Sequence, residues 1–281
     1  MRSCSSEAPA TLPAAVPWIL RLALFGCYVG HGAFGVITKA AWVPYFGVLG
    51  IPAPWAWRLM PWVGVCDITF GFVVFLWPCR AFFAWAVVWT FWTALLRPLA
   101  GQGWWEFIER AGNYGAPLAL LVMAGVRGRW LVRLRNWGGP GWTAARDHAL
   151  AWALRVAGAL LLCGHAGYGL VMRKALLEKQ YAAIWSGAPA GLERGIGAGE
   201  FALAGLVLLR PSAPLVFLAC GWKLASELLY PATGAPVWEV IERAGSYGVL
   251  LALAVLLRNQ TARNFSVRPG NPFSAAGDSP A

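Results

Sequence analysis

Two histidines and two carboxylates stand where ionisable groups are costly. His31 and Asp67, and later His165 and Glu200, fall inside long apolar runs of the 281-residue chain. In hydrocarbon such groups are expensive, which makes them functional candidates by default. His31 precedes Lys39 by eight residues, and Asp67 follows Leu59 by eight. At about 1.5 Å of rise per residue, both lie roughly 12 Å below the same edge of their helices. His165 and Glu200 repeat the arrangement, counted from Arg173 and Leu192. A histidine beside a carboxylate can change charge between about pH 5 and 8, so each pair could bind a ligand or exchange protons. The plainer alternative is a packing hydrogen bond.

A second charged group opens a later helix. Glu106, Glu109 and Arg110 recur as Glu239, Glu242 and Arg243. Acids in a first turn suit the helix dipole. Glu106 and Arg110, four residues apart, share a face and can pair. Glu109 points elsewhere and needs another partner; Arg97 is the candidate, and Tyr230 stands in its place later. These residues would support a site or simply cap and tie the helix. Lys223 and Glu227, also four apart, predict a local ion pair whose counterparts, Thr90 and Ala94, are neutral. No cysteine or histidine spacing suits a metal, so no metal site is expected.

The elements that must position these groups come in two sets. Arg21 and Arg155, His31 and His165, and Gly35 and Gly169 are each 134 residues apart. The offset then becomes 133: Asp67 faces Glu200, Trp89 faces Trp222, and Pro98 faces Pro231. Residues 105–115 and 238–248 agree at nine of eleven positions. Self-similarity at a fixed offset signals a repeated architecture. Apolar runs cover residues 18–38, 59–77, 81–96 and 107–126, then 150–172, 195–209, 213–230 and 240–257. A spanning helix needs about 20 residues, so the runs at 81–96 and 195–209 are short. The reading is an all-α membrane protein of two tandem parallel four-helix units, with eight spans. The units occupy 18–126 and 150–258. An N-terminal tail covers 1–17, a basic cytoplasmic linker 127–149, and a disordered tail 259–281.

Composition agrees. The chain is 59% hydrophobic and only 12% charged, with 18 Trp and 33 Gly; soluble domains average about 45–50% and about 25%. Net charge is +11. Because the basic residues flank apolar runs, this reads as topology and contact with anionic lipid, not nucleic acid. Thirteen Lys and Arg fall on the side of the termini and nine on the other, with Lys223 within a run. This excess places the termini in the cytoplasm of a multi-pass protein of the cell membrane, the bacterial inner membrane by this reading. Leu24–Cys27 faintly suggests a lipoprotein cleavage site, but the run continues beyond it and is read as a retained helix.

The pattern resembles the DoxX/DoxD family of four-helix membrane proteins. The resemblance rests on Arg21, Gly30, Gly35 and Lys39, followed by Glu106, Glu109 and Arg110. Arg155, Gly164, Gly169, Arg173, Glu239, Glu242 and Arg243 carry it in the second copy. It covers nearly the whole chain, once per half. It implies a small integral membrane protein, with some members serving as subunits of quinone-linked oxidoreductases or partners of redox enzymes. Fusion of two units and the histidines at 31 and 165 depart from the pattern.

The expected function is therefore a redox-linked membrane protein that binds quinone or a similar lipophilic ligand, with His31, Asp67, His165 and Glu200 exchanging protons with it. Two other classes are a transporter of a small hydrophobic solute and a non-catalytic membrane scaffold for a partner enzyme. Haem ligation by His31 and His165 is disfavoured, because only one histidine per unit is at hand and the carboxylates stay unexplained.

Overall fold

The computed structural model describes residues 12–135, 137 and 142–266. All regular structure among them is helical. The order is α1 (Ala15–Val36), a 3-10 turn (Ala40–Trp42), α2 (Val43–Val48), α3 (Ala53–Leu76), α4 (Arg80–Leu99), α5 (Trp104–Glu109) and α6 (Ala111–Ala124). Then come α7 (Ala144–Leu170), α8 (Ala175–Ile184), α9 (Leu192–Leu209), α10 (Ala213–Ala232), α11 (Trp238–Glu242) and α12 (Ala244–Ser266). Residues 1–11, 136, 138–141 and 267–281 lie outside the described residues, and with them most of the two expected tails.

Four helices are long and apolar enough to cross a membrane: α1, α3, α4 and α7. The other long helices are less apolar. α9 holds Glu193, Arg194 and Glu200 within 18 residues, and α10 holds Lys223 and Glu227 near its middle. Of the four apolar helices, α1 and α7 are 61% buried inside the protein, whereas α3 and α4 are 28% buried. The outer pair turns large apolar side chains outward, among them Trp62, Leu76, Trp85 and Val88. A helix apolar all round, with bulky residues facing out, fits a hydrocarbon environment.

The centre is an exchange of partners between the halves of the chain. α1 packs on α3 and also on α11 and α12; α7 packs on α9 and also on α5 and α6. Glycine makes the cross-contacts possible. A Cβ on Gly30 would stand 2.2 Å from the backbone nitrogen of Glu242, and one on Gly164 would stand 2.1 Å from that of Glu109. α6 and α12 cross where Gly112 and Gly245 bring their backbones together. Gly164→Ala should therefore push α5 off α7. Overpacking of this kind costs about 1–3 kcal/mol. The expected result is a lower thermal midpoint in detergent, with Gly221→Ala, which meets nothing within 4 Å, as the neutral control. Equal midpoints for the two variants would show that the contact is not tight.

The early arginines are helix caps. Arg21 donates to the carbonyl of Phe75 in the last turn of α3, and Arg155 donates to that of Leu208 in the last turn of α9. Carbonyls in a last turn have no partner within the helix, and a cation suits that end. Each guanidinium also lies over a tryptophan, Trp18 at 4.3 Å and Trp152 at 4.1 Å.

Several elements differ from the sequence expectation. The runs at 107–126 and 240–257 break at Arg110 (ψ 7°) and Arg243 (ψ 14°), which splits α5 from α6 and α11 from α12. The break turns the two arginines and their preceding glutamates into the centre of the protein. α12 continues through Ser266 rather than ending near 258; Gln260 and Arg263 each reach Asp147 of α7 at 2.9 Å. Lys39 matches Lys174 rather than Arg173. Thr38 (φ 56°) and Arg173 (φ 47°) hold the same left-handed turn position one residue earlier, so the halves slip by one residue here.

Candidate functional site

Both histidines meet their carboxylates. His31 Nδ1 lies 2.7 Å from Asp67 Oδ2, and Trp89 Nε1 donates to Asp67 Oδ1 at 2.8 Å. His165 Nδ1 lies 2.8 Å from both oxygens of Glu200, and Trp222 Nε1 donates to Glu200 Oε1 at 2.7 Å. In the first triad α1 supplies the histidine, α3 the carboxylate and α4 the tryptophan; in the second α7, α9 and α10 do so. The tryptophans stood out in the sequence as a matched pair but not as partners of the acids. They satisfy the second oxygen of Asp67 and share an oxygen of Glu200, so neither carboxylate is left bare in a dry site.

The triads differ in access. The His165 side chain is 5% exposed and Tyr168 packs near its ring. The His31 side chain is 18% exposed and faces a cleft of about 130 Å³. Trp42, Phe46, Trp89 and Trp92 give this cleft aromatic walls, and Arg97 stands at its edge. Trp42 lies against the His31 ring, with centroids 4.3 Å apart and the planes tilted by 32°. The segment that brings Trp42, Tyr45 and Phe46 is the short stretch 40–48, which belongs to no apolar run of the sequence. Its second-half equivalent, α8, carries Leu177, Gln180 and Tyr181 instead, and all three are buried.

Behind His31 is a smaller chamber of about 20 Å³, enough for a water-sized group. His31, Trp89, Thr93 and Arg97 line both spaces. Thr90 and Ala94 line the chamber. Their counterparts in the other half, Lys223 and Glu227, are fully buried and paired at 2.5 Å.

The glutamates and arginines form one network across the halves. Glu109 receives Lys223 at 3.2 Å, Arg110 at 3.3 Å and Arg243 at 3.7 Å. Glu242 receives Arg110 at 3.3 Å and Arg97 at 3.6 Å. Arg243 also reaches Glu227 at 3.2 Å and Glu239 at 2.5 Å. The expected pairing of Glu106 with Arg110 is absent. Glu106 takes Lys174 and the Tyr168 hydroxyl, with Arg97 at 3.9 Å. Arg97 serves Glu106 and Glu242, not Glu109. The Glu239–Arg243 and Lys223–Glu227 pairs do form, but Arg243 and Lys223 also hold partners from the other half. Competing partners account for the difference: Glu106 is taken by Lys174 and Tyr168, and Arg110 by Glu109 and Glu242, whereas Glu239 keeps Arg243 across the same kind of break.

Two lysines close the network at the outer edge. Lys39 reaches Glu239 at 2.6 Å and lies over Phe34; Lys174 reaches Glu106 and lies over Tyr168. Burial pushes both ammonium groups below the ordinary lysine range, opposed by Glu242 and Glu239 for Lys39 and by Glu106 for Lys174.

No cluster of metal-binding side chains occurs among the described residues. No family model, curated protein or solved structure matches the chain.

Proposed function

We propose that the protein spans the cell membrane eight times as two tandem four-helix units of DoxX type, and binds the ring of a quinone or similar lipophilic ligand beside His31. The four apolar helices supply part of the span count. α9, α10 and the broken pairs α5–α6 and α11–α12 supply the rest, with their charges turned inward onto one another. The arginine excess on the terminal side puts both termini in the cytoplasm.

The observation that carries the reading is the cleft. Its volume of about 130 Å³ is close to the roughly 150 Å³ of an apolar cavity known to hold benzene. One six-membered ring fits, flanked by indoles and met at its edge by histidine. His31 is held by Asp67 through Nδ1. Its other ring nitrogen has no hydrogen-bond partner among the described residues and is free to meet a ring oxygen. A redox enzyme partner would supply or remove electrons, while His31 gives or takes the proton. Asp67 orients the imidazole and Trp89 orients Asp67.

The histidine distinguishes the halves: His31 lines its cleft, whereas the apolar cleft of about 460 Å³ in the second half is lined by Glu200 and Trp222 but not by His165. Detergent-purified protein, dialysed against a soluble short-chain quinone with detergent alone as control, should bind one ligand per chain. Two per chain would contradict the inequality of the halves, and none would remove the quinone reading.

A further inference from the structure

The chamber behind His31 has polar walls whose needs are unmet. Arg110 Nε and Nη1 face Glu109 and Glu242 in ion pairs at 3.3 Å, whereas Tyr28 OH and Arg97 Nε are buried donors with no hydrogen-bond partner. Asn113 Oδ1 and Glu242 Oε2 are buried acceptors in the same condition. All five residues line the chamber. Tyr28, Arg110, Asn113 and Glu242 are each at least nine-tenths buried. Buried polar groups ordinarily have partners, and two donors and two acceptors without one, on residues around a single water-sized space, define the kind of group that would suit it.

That group must accept and donate at once. A carboxylate would accept from Arg97 and Tyr28 but would leave both acceptors unmet and face Glu242 as a like charge. A quinone carbonyl would also accept only. A hydroxyl accepts from the Arg97 N–H and the Tyr28 O–H through its lone pairs, and its proton can go to Asn113 Oδ1 or Glu242 Oε2. The chamber adjoins the ring cleft across His31, Trp89, Thr93 and Arg97. A ring in the cleft could therefore place one small substituent in the chamber.

We propose that the chamber is a hydroxyl-binding subsite, and that the protein prefers ligands whose ring carries a free hydroxyl, the phenol or quinol form, over the quinone. The proposal rests on the ring site beside His31 and adds the identity of the substituent. The second half has no such subsite, because Lys223 and Glu227 stand where Thr90 and Ala94 leave room. Specificity of this kind can be large. A site built to hydrogen-bond a hydroxyl rejects analogues that lack it, because its own polar groups are then left unpaired.

The test compares ligands that differ only in that hydroxyl. 4-Pentylphenol, 4-pentylanisole and pentylbenzene are dialysed against detergent-purified wild type, with each compound's partition into protein-free detergent subtracted. The phenol should bind at least about tenfold more tightly than the other two, a difference of about 1.4 kcal/mol. In Tyr28→Phe, which removes one donor and keeps the ring, that preference should shrink at least about threefold while the affinity for pentylbenzene stays the same. Equal affinities of wild type for phenol, ether and hydrocarbon would overturn the hydroxyl subsite and leave ring binding standing. Binding of none of the three would overturn both. A preference unchanged in Tyr28→Phe would place the hydroxyl elsewhere and also overturn the subsite.

Discussion

Glu109→Gln should cost the protein about 3–5 kcal/mol of stability, the range for breaking a buried ion pair and leaving charge behind. Glu109 faces three cations, Lys223, Arg110 and Arg243, and is 1% exposed. Glutamine keeps the shape and removes the charge. Lys223 and Arg243 would retain Glu227, and Arg110 would retain Glu242. The local excess of positive charge would nonetheless have no water to screen it. The loss should be visible as a lower thermal midpoint and a lower yield of monodisperse protein in detergent. Lys223→Met combined with Glu109→Gln should recover part of the loss, because groups in one network are not additive. A single variant as stable as wild type would mean that Glu109 is held for binding rather than folding.

His31→Ala and His165→Ala should behave as opposites. His31 faces the cleft, so its removal should weaken the quinone analogue at least about tenfold, equivalent to about 1.4 kcal/mol, and, because the cleft lets water reach Asp67, lower the thermal midpoint less than the loss of His165 does. His165 is enclosed and bonded to both oxygens of Glu200. Its removal leaves a buried carboxylate with Trp222 as the remaining hydrogen-bond donor, at a cost of about 1–3 kcal/mol for the unmet acceptor. The thermal midpoint should fall while ligand affinity stays within about twofold. The decisive measurement is both quantities on both variants. Equal loss of affinity in the two would mean that the halves share one site or hold one each, and the assignment of binding to His31 alone would fail.

The two triads were half legible in the sequence. Helical rise placed each histidine and carboxylate at one depth on consecutive helices, and the structure brings both pairs within hydrogen-bond distance. The tryptophans completing the triads were visible only as matched letters, because nothing in spacing says that an indole on a third helix points at an acid. The cross-half ion network was not legible. A four-residue spacing pairs Glu239 with Arg243 correctly but not Glu106 with Arg110, because partners from the other half, Lys174 and Glu242, take those two groups. Nor was the cleft legible. Residues 40–48 are apolar but too short, and interrupted by Pro44 and Gly47, to register as a span, yet they bring Trp42 to the ring of His31 and Phe46 to the cleft beside it. The inequality of the halves was present in Thr90 and Ala94 against Lys223 and Glu227, but its meaning needed the space around them.

The exchange of partners across the centre also bears on how such a chain is made. In the eight-span arrangement proposed above, a ribosome delivers α1 to α6 into the bilayer before α7 to α12 exist. At that moment Gly30 has no Glu242 to pack on, and Arg97 lacks one of its two carboxylates. Glu109 has Arg110 beside it but neither Lys223 nor Arg243. The newly inserted first half is therefore an incomplete object, charged inside and exposed to hydrocarbon along the face of α1 that α11 and α12 will cover. Residence beside the insertion machinery until the second half arrives would protect it. A chain truncated after α6 would present quality-control proteases with the same unfinished face.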